Sequence, residues 1–262
     1  MRQLLRAAAA VACLSIVFSV ATPAVDASVI TAAKATNSGV APSVGSGVTL
    51  NGGGWNAGGT GPFTYDVSVN PDNIRFRTIS GDSSTSAFVS FCIEVNQHTD
   101  GFGVDEEYEV IALEDAPKPD TALTNLDFGN TANVLRRMWY QLISSQFPGS
   151  PDVLNVANAK VAFQMAVWEL VYDTGTDLSS GLFTANQPGG TIALLAQSYL
   201  DSAVATVGQK KANLYALSPT DGLGQDQVIE IIPEPASVLA WTLIGGCFVA
   251  GHRIRRGKWN LG

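Results

Sequence analysis

Cys92 is the one cysteine of this chain that lies outside the apolar segments near the chain ends. The sequence has three cysteines, and the other two, Cys13 and Cys247, lie in apolar segments near the two chain ends. A single thiol cannot form an intrachain disulfide. In an oxidising compartment it is therefore either buried and inert or chemically employed. The sequence thus singles out Cys92 as a candidate nucleophile.

Gln164 is the second residue whose surroundings are unusual. It lies in residues 161–172, which are apolar on almost every face, and Glu169 is the other strongly polar residue there. Such a helix is buried nearly all round, and a buried glutamine needs partners for its amide. Two interpretations stay open. In the first, the Gln164 amide donates a hydrogen bond to a backbone carbonyl of a neighbouring strand. In the second, Gln164 is paired with Cys92 and can react with it.

Other catalytic arrangements lack their residues. His98 is the only histidine between the two terminal segments, because His252 lies beyond the second one. This excludes a two-histidine metal site and a zinc finger, and no nucleophile elbow, Walker loop, dinucleotide fingerprint or EF-hand spacing is present. We expect His98 to be an exposed turn residue rather than the partner of a Cys-His hydrolase. We predict that the protein is not an enzyme and uses no metal and no cofactor.

The candidate residues lie on elements that apolar periodicity predicts. Residues 87–95 form a buried strand that carries Cys92, and residues 155–173 form a helix that carries Gln164. Further strands are predicted at residues 48–50, 63–69, 74–79, 108–113, 212–217 and 227–232, and further helices at residues 131–145 and 191–206. Strands, a helical insertion and closing strands predict an α+β fold, an antiparallel β-sandwich or barrel with packed helices.

Both chain ends carry export signals. Arg2 and Arg6 precede an apolar core at residues 4–20 and small residues before position 28, which is typical of a secretory signal peptide at residues 1–27. At the other end, Pro233, Glu234 and Pro235 precede an apolar run at residues 236–251. A basic tail follows, and we expect it to stay on the cytoplasmic side. Its residues are Arg253, Arg255, Arg256 and Lys258.

This C-terminal arrangement resembles the PEP-CTERM sorting signal of bacteria. The resemblance implies that an exosortase-type processing enzyme reads Pro233-Glu234-Pro235 and removes the transmembrane helix. The apolar run is a little shorter than the roughly 20 residues of a permanent span, which suits a transient anchor. The alternative is an ordinary tail-anchored membrane protein.

The exported part is strongly acidic. It holds nine of the chain's basic residues and twenty-one of its acidic residues, a formal charge of −12. Such a surface repels nucleic acid and anionic lipid, so neither is expected as a partner through a basic patch. The membrane is expected to be contacted through the C-terminal helix alone.

Two short motifs resemble the thioester domains of bacterial surface adhesins across residues 88–183. They are F-C-I-E at residues 91–94 on a strand and Q-M-A-V-W at residues 164–168 on a helix. The resemblance implies that Cys92 condenses with Gln164 and expels ammonia, and that Trp168, one helical turn away, shields the bond from water. Val167 replaces the usual isoleucine, and Phe163 stands where those domains typically carry threonine.

Together these features predict a domain order and a function. Residues 1–27 are the signal peptide, 28–61 a Gly/Ser/Ala-rich lead-in, 62–232 the globular domain and 233–262 the sorting signal. We expect a protein of the cell surface or extracellular matrix that is membrane-anchored before processing. The resemblance further implies a covalent adhesin that acylates an amine-bearing surface protein or polyamine. The alternative is a non-catalytic structural protein of the envelope, exopolysaccharide or biofilm matrix.

The sorting signal can be tested by one substitution. If Glu234 belongs to a recognition motif, Glu234→Ala leaves the C-terminal helix attached and retains the protein in the membrane fraction. Fractionation of cells followed by immunoblotting measures this. Unchanged tail removal in the variant would mean that the motif is not read, and no tail removal in the wild type would leave a simple tail anchor.

Overall fold

A computed structural model describes most of the predicted globular domain. The described residues are 28–35, 48–50, 53–55, 62–80, 82–95, 101–117, 128–144, 157–173, 175–185, 190–206, 208 and 211–233. The predicted signal peptide, C-terminal apolar run and basic tail lie outside them, as do His98, Glu234 and Pro235. Pro233 is exposed at the end of the described chain. Within these ranges no helix has both the length and the apolar character that crossing a bilayer requires.

The centre of the described structure is a closed, antiparallel barrel. Its six strands, numbered with all described strands in chain order, are β1 (Ser28–Lys34), β4 (Phe63–Val69), β7 (Ala87–Cys92), β8 (Asp105–Ala112), β10 (Leu214–Pro219) and β11 (Gln227–Glu230). Neighbouring strands follow one another in the order β1-β4-β7-β11-β10-β8. Closure leaves none of these strands as a free sheet edge along its whole length.

The remaining described elements are three α-helices and small sheets. The helices are α1 (Phe128–Trp139), which continues as a π-helical turn at Tyr140–Ser144, then α2 (Ala157–Tyr172) and α3 (Thr191–Ala205), with a 3₁₀ turn at Leu113–Asp115. The small sheets join β2 (Val48–Leu50) to β3 (Gly53–Trp55) and β9 (Phe183–Ala185), and β5 (Phe76–Arg77) to β6 (Ser83–Ser84). The α+β class and the barrel are therefore confirmed.

The barrel contains a strand that the sequence does not signal. Ser28–Lys34 is a full strand between β4 and β8, although composition predicts an extended lead-in there. Because most of its side chains are small, the alternation of buried and less buried residues along this strand is not visible in the sequence. Ile30 and Ala32 are fully buried while Val29 is exposed. The strand predicted at residues 74–79 is correspondingly shorter, since only Phe76–Arg77 pairs with β6.

Two apolar cores meet at the wall of the barrel. The interior is filled by aromatic rings: Tyr65 stacks on Phe88 at 4.8 Å and meets Tyr108 edge-on at 5.9 Å. The second core lies between the outer wall and the helices, where alternate β7 residues such as Val89 and Phe91 face α2. Strand β7 thus contributes to both cores.

Glu230 ties the helices to the barrel through a buried ionic network. One carboxylate oxygen accepts hydrogen bonds from Arg77 Nε and Trp139 Nε1, both at 2.9 Å, and the other accepts one from Ser144 Oγ at 2.6 Å. Glu230 is 5% exposed. A buried carboxylate with this many donors is strongly held, and its loss leaves the Arg77 guanidinium without this acceptor.

We therefore expect Glu230→Ala to lower the free energy of unfolding by about 3 kcal/mol or more, as breaking a buried ion pair does. The matched control is Glu109→Ala, because Glu109 is an exposed carboxylate on β8 of the same barrel. That change should cost about 0.5 kcal/mol or less. Urea unfolding of both variants measures the difference, and equal losses would contradict the role assigned to the network.

Candidate functional site

Cys92 lies where the hydrogen-bonded ladder of the barrel is interrupted. On one side β7 pairs with β11, where Cys92 lies opposite Gln227 and the Ile93 N–H donates to the Asp226 carbonyl. The N–H and C=O of Cys92 therefore face the other side. There β4 pairs with β7 no further than Phe63, opposite Ser90. Cys92 lies two residues beyond this last pair, so β4 supplies no partner for its N–H and C=O.

The side-chain amide of Gln164 fills this gap. Gln164 Oε1 accepts a hydrogen bond from the Cys92 N–H at 2.9 Å, and Gln164 Nε2 donates one to the Cys92 carbonyl at 2.7 Å. Gln164 is completely buried. The amide replaces the peptide group that a longer β4 would supply, because it offers one donor and one acceptor side by side. The two bonds satisfy main-chain groups that would otherwise be buried without partners.

Aromatic packing and a second polar contact hold α2 against β7. The Phe163 ring lies 4.7 Å from Phe91 and 5.6 Å from Trp139, between centroids. Two turns after Gln164, the Tyr172 hydroxyl accepts a hydrogen bond from the Val95 N–H at 2.9 Å. Residues four and eight positions apart share a helix face, so these contacts fix the depth and rotation of Gln164. Phe163, the departure from the thioester motif, belongs to this cluster.

Gln227 contacts the sulfur of Cys92 directly, and sequence reasoning missed it. Ser90 and Cys92 lie two residues apart on β7, and Gln227 lies opposite Cys92 on β11. Gln227 Nε2 lies 3.7 Å from Cys92 Sγ, and Gln227 Oε1 accepts from Ser90 Oγ at 3.0 Å. The available signal was polarity: a glutamine at the start of a strand otherwise read as apolar demands a buried partner.

Burial controls the ionisation of the thiol. Cys92 is 5% exposed, and desolvation raises its pKa to about 12. The Gln227 amide and the positive charge of Lys34 oppose the rise in pKa, whereas the negative charge of Glu94 adds to it. Lys34 is itself nearly buried, with Nζ 5.2 Å from the Phe63 centroid and 4.7 Å from that of Phe102. At neutral pH the thiol is protonated.

A pair of buried carboxyl groups lies just past Cys92. The Asp226 N–H donates to a Glu94 carboxylate oxygen at 3.3 Å. Desolvation, followed by repulsion from Asp226, raises the pKa of Glu94 to about 7, and desolvation raises that of Asp226 to about 6. Groups with these pKa values exchange protons near neutral pH.

Trp168 and Glu169 lie about one turn after Gln164 on α2, and both are buried. Trp168 is 5% exposed, and its ring centroid lies 6.0 Å from that of Phe183. Among the described residues its Nε1 has no hydrogen-bond acceptor. Glu169 is fully buried, and desolvation together with Asp173 and Asp177 raises its pKa to about 8. Across the described ranges, no three His, Cys, Asp or Glu side chains are grouped so that they could hold a metal ion.

Comparison with known proteins concerns architecture. No protein-family model matches the sequence, and no match is found among curated proteins. The chain resembles bacterial surface-protein thioester domains. An N-terminal thioester domain of a surface protein from Clostridium perfringens has a TM-score of 0.40 and 14% identity, over 78% of this chain and 100% of that one.

Two streptococcal structures show a similar likeness. The N-terminal domain of the Streptococcus pyogenes pilus tip adhesin Cpa has a TM-score of 0.40 and 15% identity, over 65% of this chain and 84% of that one. The N-terminal thioester domain of the fibronectin-binding protein SfbI from Streptococcus pyogenes has a TM-score of 0.38 and 16% identity, over 65% of this chain and 87% of that one. At these identities the likeness concerns the fold alone.

The structure brings two of the predicted site residues together. Gln164 is hydrogen-bonded to the main chain of Cys92. This is also the contact expected from the non-covalent interpretation, in which the glutamine donates a hydrogen bond to a strand carbonyl. Trp168 lies on the same helix, one turn further. The sorting motif and basic tail lie outside the described residues except for Pro233, so their roles stay predictions, as does the covalent bond itself.

The amide contacts predict an unequal cost for removing the two partners. Gln164→Leu preserves side-chain volume but leaves the Cys92 N–H and C=O without partners, so we expect a loss of about 3 kcal/mol in the free energy of unfolding. Cys92→Ala retains those main-chain bonds and removes one buried sulfur, so we expect about 1 kcal/mol. Chemical denaturation measures both. A smaller loss for Gln164→Leu than for Cys92→Ala would contradict the bridging role.

Proposed function

We propose that this protein is an exported bacterial surface protein that attaches to its target covalently, through an internal thioester between Cys92 and Gln164. One observation carries the proposal: the Gln164 amide is held on both main-chain groups of Cys92. The amide carbon is bonded to both of those amide atoms, so it lies beside the Cys92 Cα. The sulfur is two bonds from that Cα and needs only a side-chain rotation to approach the carbon.

The proposed chemistry has two steps. In the first, the Cys92 thiol gives up its proton, the sulfur attacks the Gln164 amide carbon, and the amide nitrogen leaves with that proton as ammonia. In the second, a primary amine of the target attacks the same carbon, the carbon–sulfur bond breaks, and the sulfur recovers a proton from the amine. The product is an amide between Gln164 and the target, with Cys92 again a free thiol.

The surroundings suit a bond that water would destroy. Gln164 is fully buried, Cys92 is 5% exposed, and the adjacent core consists of apolar and aromatic side chains. An activated acyl group survives only where water is excluded. Each molecule acylates one target, so the proposed protein is a single-use adhesive rather than a turnover enzyme. Its partner is an amine-bearing surface protein or a polyamine.

The ionisation of Cys92 makes bond formation depend on pH. Because burial raises the pKa of the thiol to about 12, the reactive thiolate is a small fraction at neutral pH. At pH values below the pKa, the thiolate fraction increases about tenfold for each unit by which the pH is raised. The nearby Glu94 and Asp226 carboxyl groups, with pKa values of about 7 and 6, are suited to carry the protons that the two steps exchange.

Export and sorting complete the proposal. We infer that residues 1–27 direct secretion and that residues 233–262 anchor the protein until an exosortase-type enzyme removes the helix. The acidic composition of the exported part, with a formal charge of −12, is compatible with a cationic, amine-rich target. The mature protein then resides at the cell surface or in the extracellular matrix.

One observation favours the rival function of a passive matrix component. The Cys92 main chain satisfies both polar atoms of the Gln164 amide, so the pair is also stable as an ordinary core contact. In that case the protein contributes bulk and adhesion to the envelope, exopolysaccharide or biofilm without forming a bond.

Methylamine labelling separates the two functions. A small primary amine should attack the thioester of the native, full-length protein and convert Gln164 to its N-methylamide, with the site located by peptide mass spectrometry. Labelling should disappear in both Cys92→Ala and Gln164→Ala, because each change removes one half of the bond. Equal labelling in wild type and Cys92→Ala, or none in wild type, would leave the passive function.

A further inference from the structure

The Cys92 sulfur has a polar partner that the thioester pair does not include. Gln227 lies directly opposite Cys92 in the β7–β11 pairing, and its Nε2 is 3.7 Å from the sulfur. Gln227 is fully buried. Its contact is made with the thiol itself, whereas Gln164 bonds the main chain of the same cysteine.

Three neighbours fix the orientation of the Gln227 amide. Its Nε2 also donates to the Gln225 carbonyl at 3.2 Å, and its Oε1 accepts from Ser90 Oγ at 3.0 Å. A carbonyl oxygen can only accept, so the nitrogen must be the atom that faces both Gln225 and the sulfur. The amide therefore presents an N–H group, and not its oxygen, to Cys92.

We propose that Gln227 is a positioning residue that orients the Cys92 thiol and stabilises negative charge on its sulfur before it attacks Gln164 and when it is released. The inference rests on the function proposed above. A hydrogen bond from a neutral amide to sulfur is worth more when the sulfur is charged. The sulfur carries charge twice, when the thiolate attacks the Gln164 carbon and when it leaves as the amine takes its place.

The same geometry makes Gln227 unsuited to be the acyl donor. A nucleophile attacks an amide carbon from above the amide plane, while a hydrogen bond from Nε2 places the sulfur near that plane, beside the nitrogen. The Ser90 hydroxyl and the Gln225 carbonyl oppose the rotation that attack would require. Two glutamines thus surround one cysteine with different roles, Gln164 as acyl group and Gln227 as donor to the sulfur.

Charges from two other elements act on the same sulfur. Lys34 on β1 favours the thiolate, and Glu94, just past β7, disfavours it. Both charged side chains remain when Gln227 is replaced. A substitution at Gln227 therefore isolates the contribution of its N–H group to the stability of the thiolate.

The role can be measured without a thioester. In a Gln164→Ala background no acyl donor opposes Cys92, and the rate at which a small neutral haloacetamide alkylates the thiol, with release of halide, reports the thiolate fraction. Adding Gln227→Met, which preserves volume, should slow alkylation about tenfold and move the rate–pH profile toward higher pH. Adding Gln227→Glu should slow it further, because the carboxylate repels the thiolate.

Gln197→Met is the matched control. Gln197 also uses its amide to bond main-chain groups, of Leu178 and Thr176, but on α3 rather than opposite Cys92. It should leave the alkylation rate unchanged. If Gln227→Met does not fold, Ser90→Ala releases the amide oxygen and should slow alkylation two- to threefold, about what partial loss of one hydrogen bond gives.

The two proposals fail in distinguishable ways. Missing methylamine labelling in the wild type would defeat the covalent function and leave the alkylation comparison intact. Normal labelling with equal alkylation in all Gln227 and Ser90 variants would overturn the positioning role alone. Methylamine recovered on Gln227 instead of Gln164 would also overturn it, because Gln227 would then be the acyl donor.

Discussion

An interruption in a barrel ladder is the constraint on which the rest of this structure depends. The β4–β7 pairing stops at Phe63 opposite Ser90, so β4 supplies no partner for the buried N–H and C=O of Cys92. Buried main-chain groups must be paired, and here a glutamine side chain from a helix does the pairing. The helix can dock in one register only, since a rotation of α2 would withdraw Gln164 and leave both groups unpaired.

This constraint gives the buried helix its orientation. Residues 161–172 are apolar on nearly every face, so hydrophobic burial alone would not select which face meets β7. The selection comes from two polar contacts, Gln164 to Cys92 and Tyr172 to Val95, with the Phe91–Phe163 ring contact between the elements. A geometry needed for folding is also one that the proposed covalent bond can use, because it holds an amide carbon beside the main chain of a cysteine and keeps both residues buried.

The sequence predicted those features that have a strong local signal. Gln164 was identifiable because a lone amide in an apolar helix demands a partner, and Cys92 because it is the one cysteine outside the two terminal apolar segments. Strand β1 was not predicted, because its Ala and Thr residues differ too little in size and polarity to show a period of two. The contact of Gln227 with Cys92 could not be predicted for a different reason. The two residues are far apart in the chain, and nothing near residue 227 indicates that β11 pairs with β7. The end of the β4–β7 pairing at Phe63 is likewise a property of the barrel register and is not visible in the local sequence.

The intact mass of the purified wild-type chain shows whether Cys92 and Gln164 are covalently joined in the native protein, as we propose. A thioester lowers that mass by one ammonia relative to the unmodified chain with the same termini, and Cys92→Ala should restore the full mass after correction for the substitution. A wild-type mass equal to that of the unmodified chain, together with a freely titratable Cys92 thiol under denaturing conditions, would contradict this proposal.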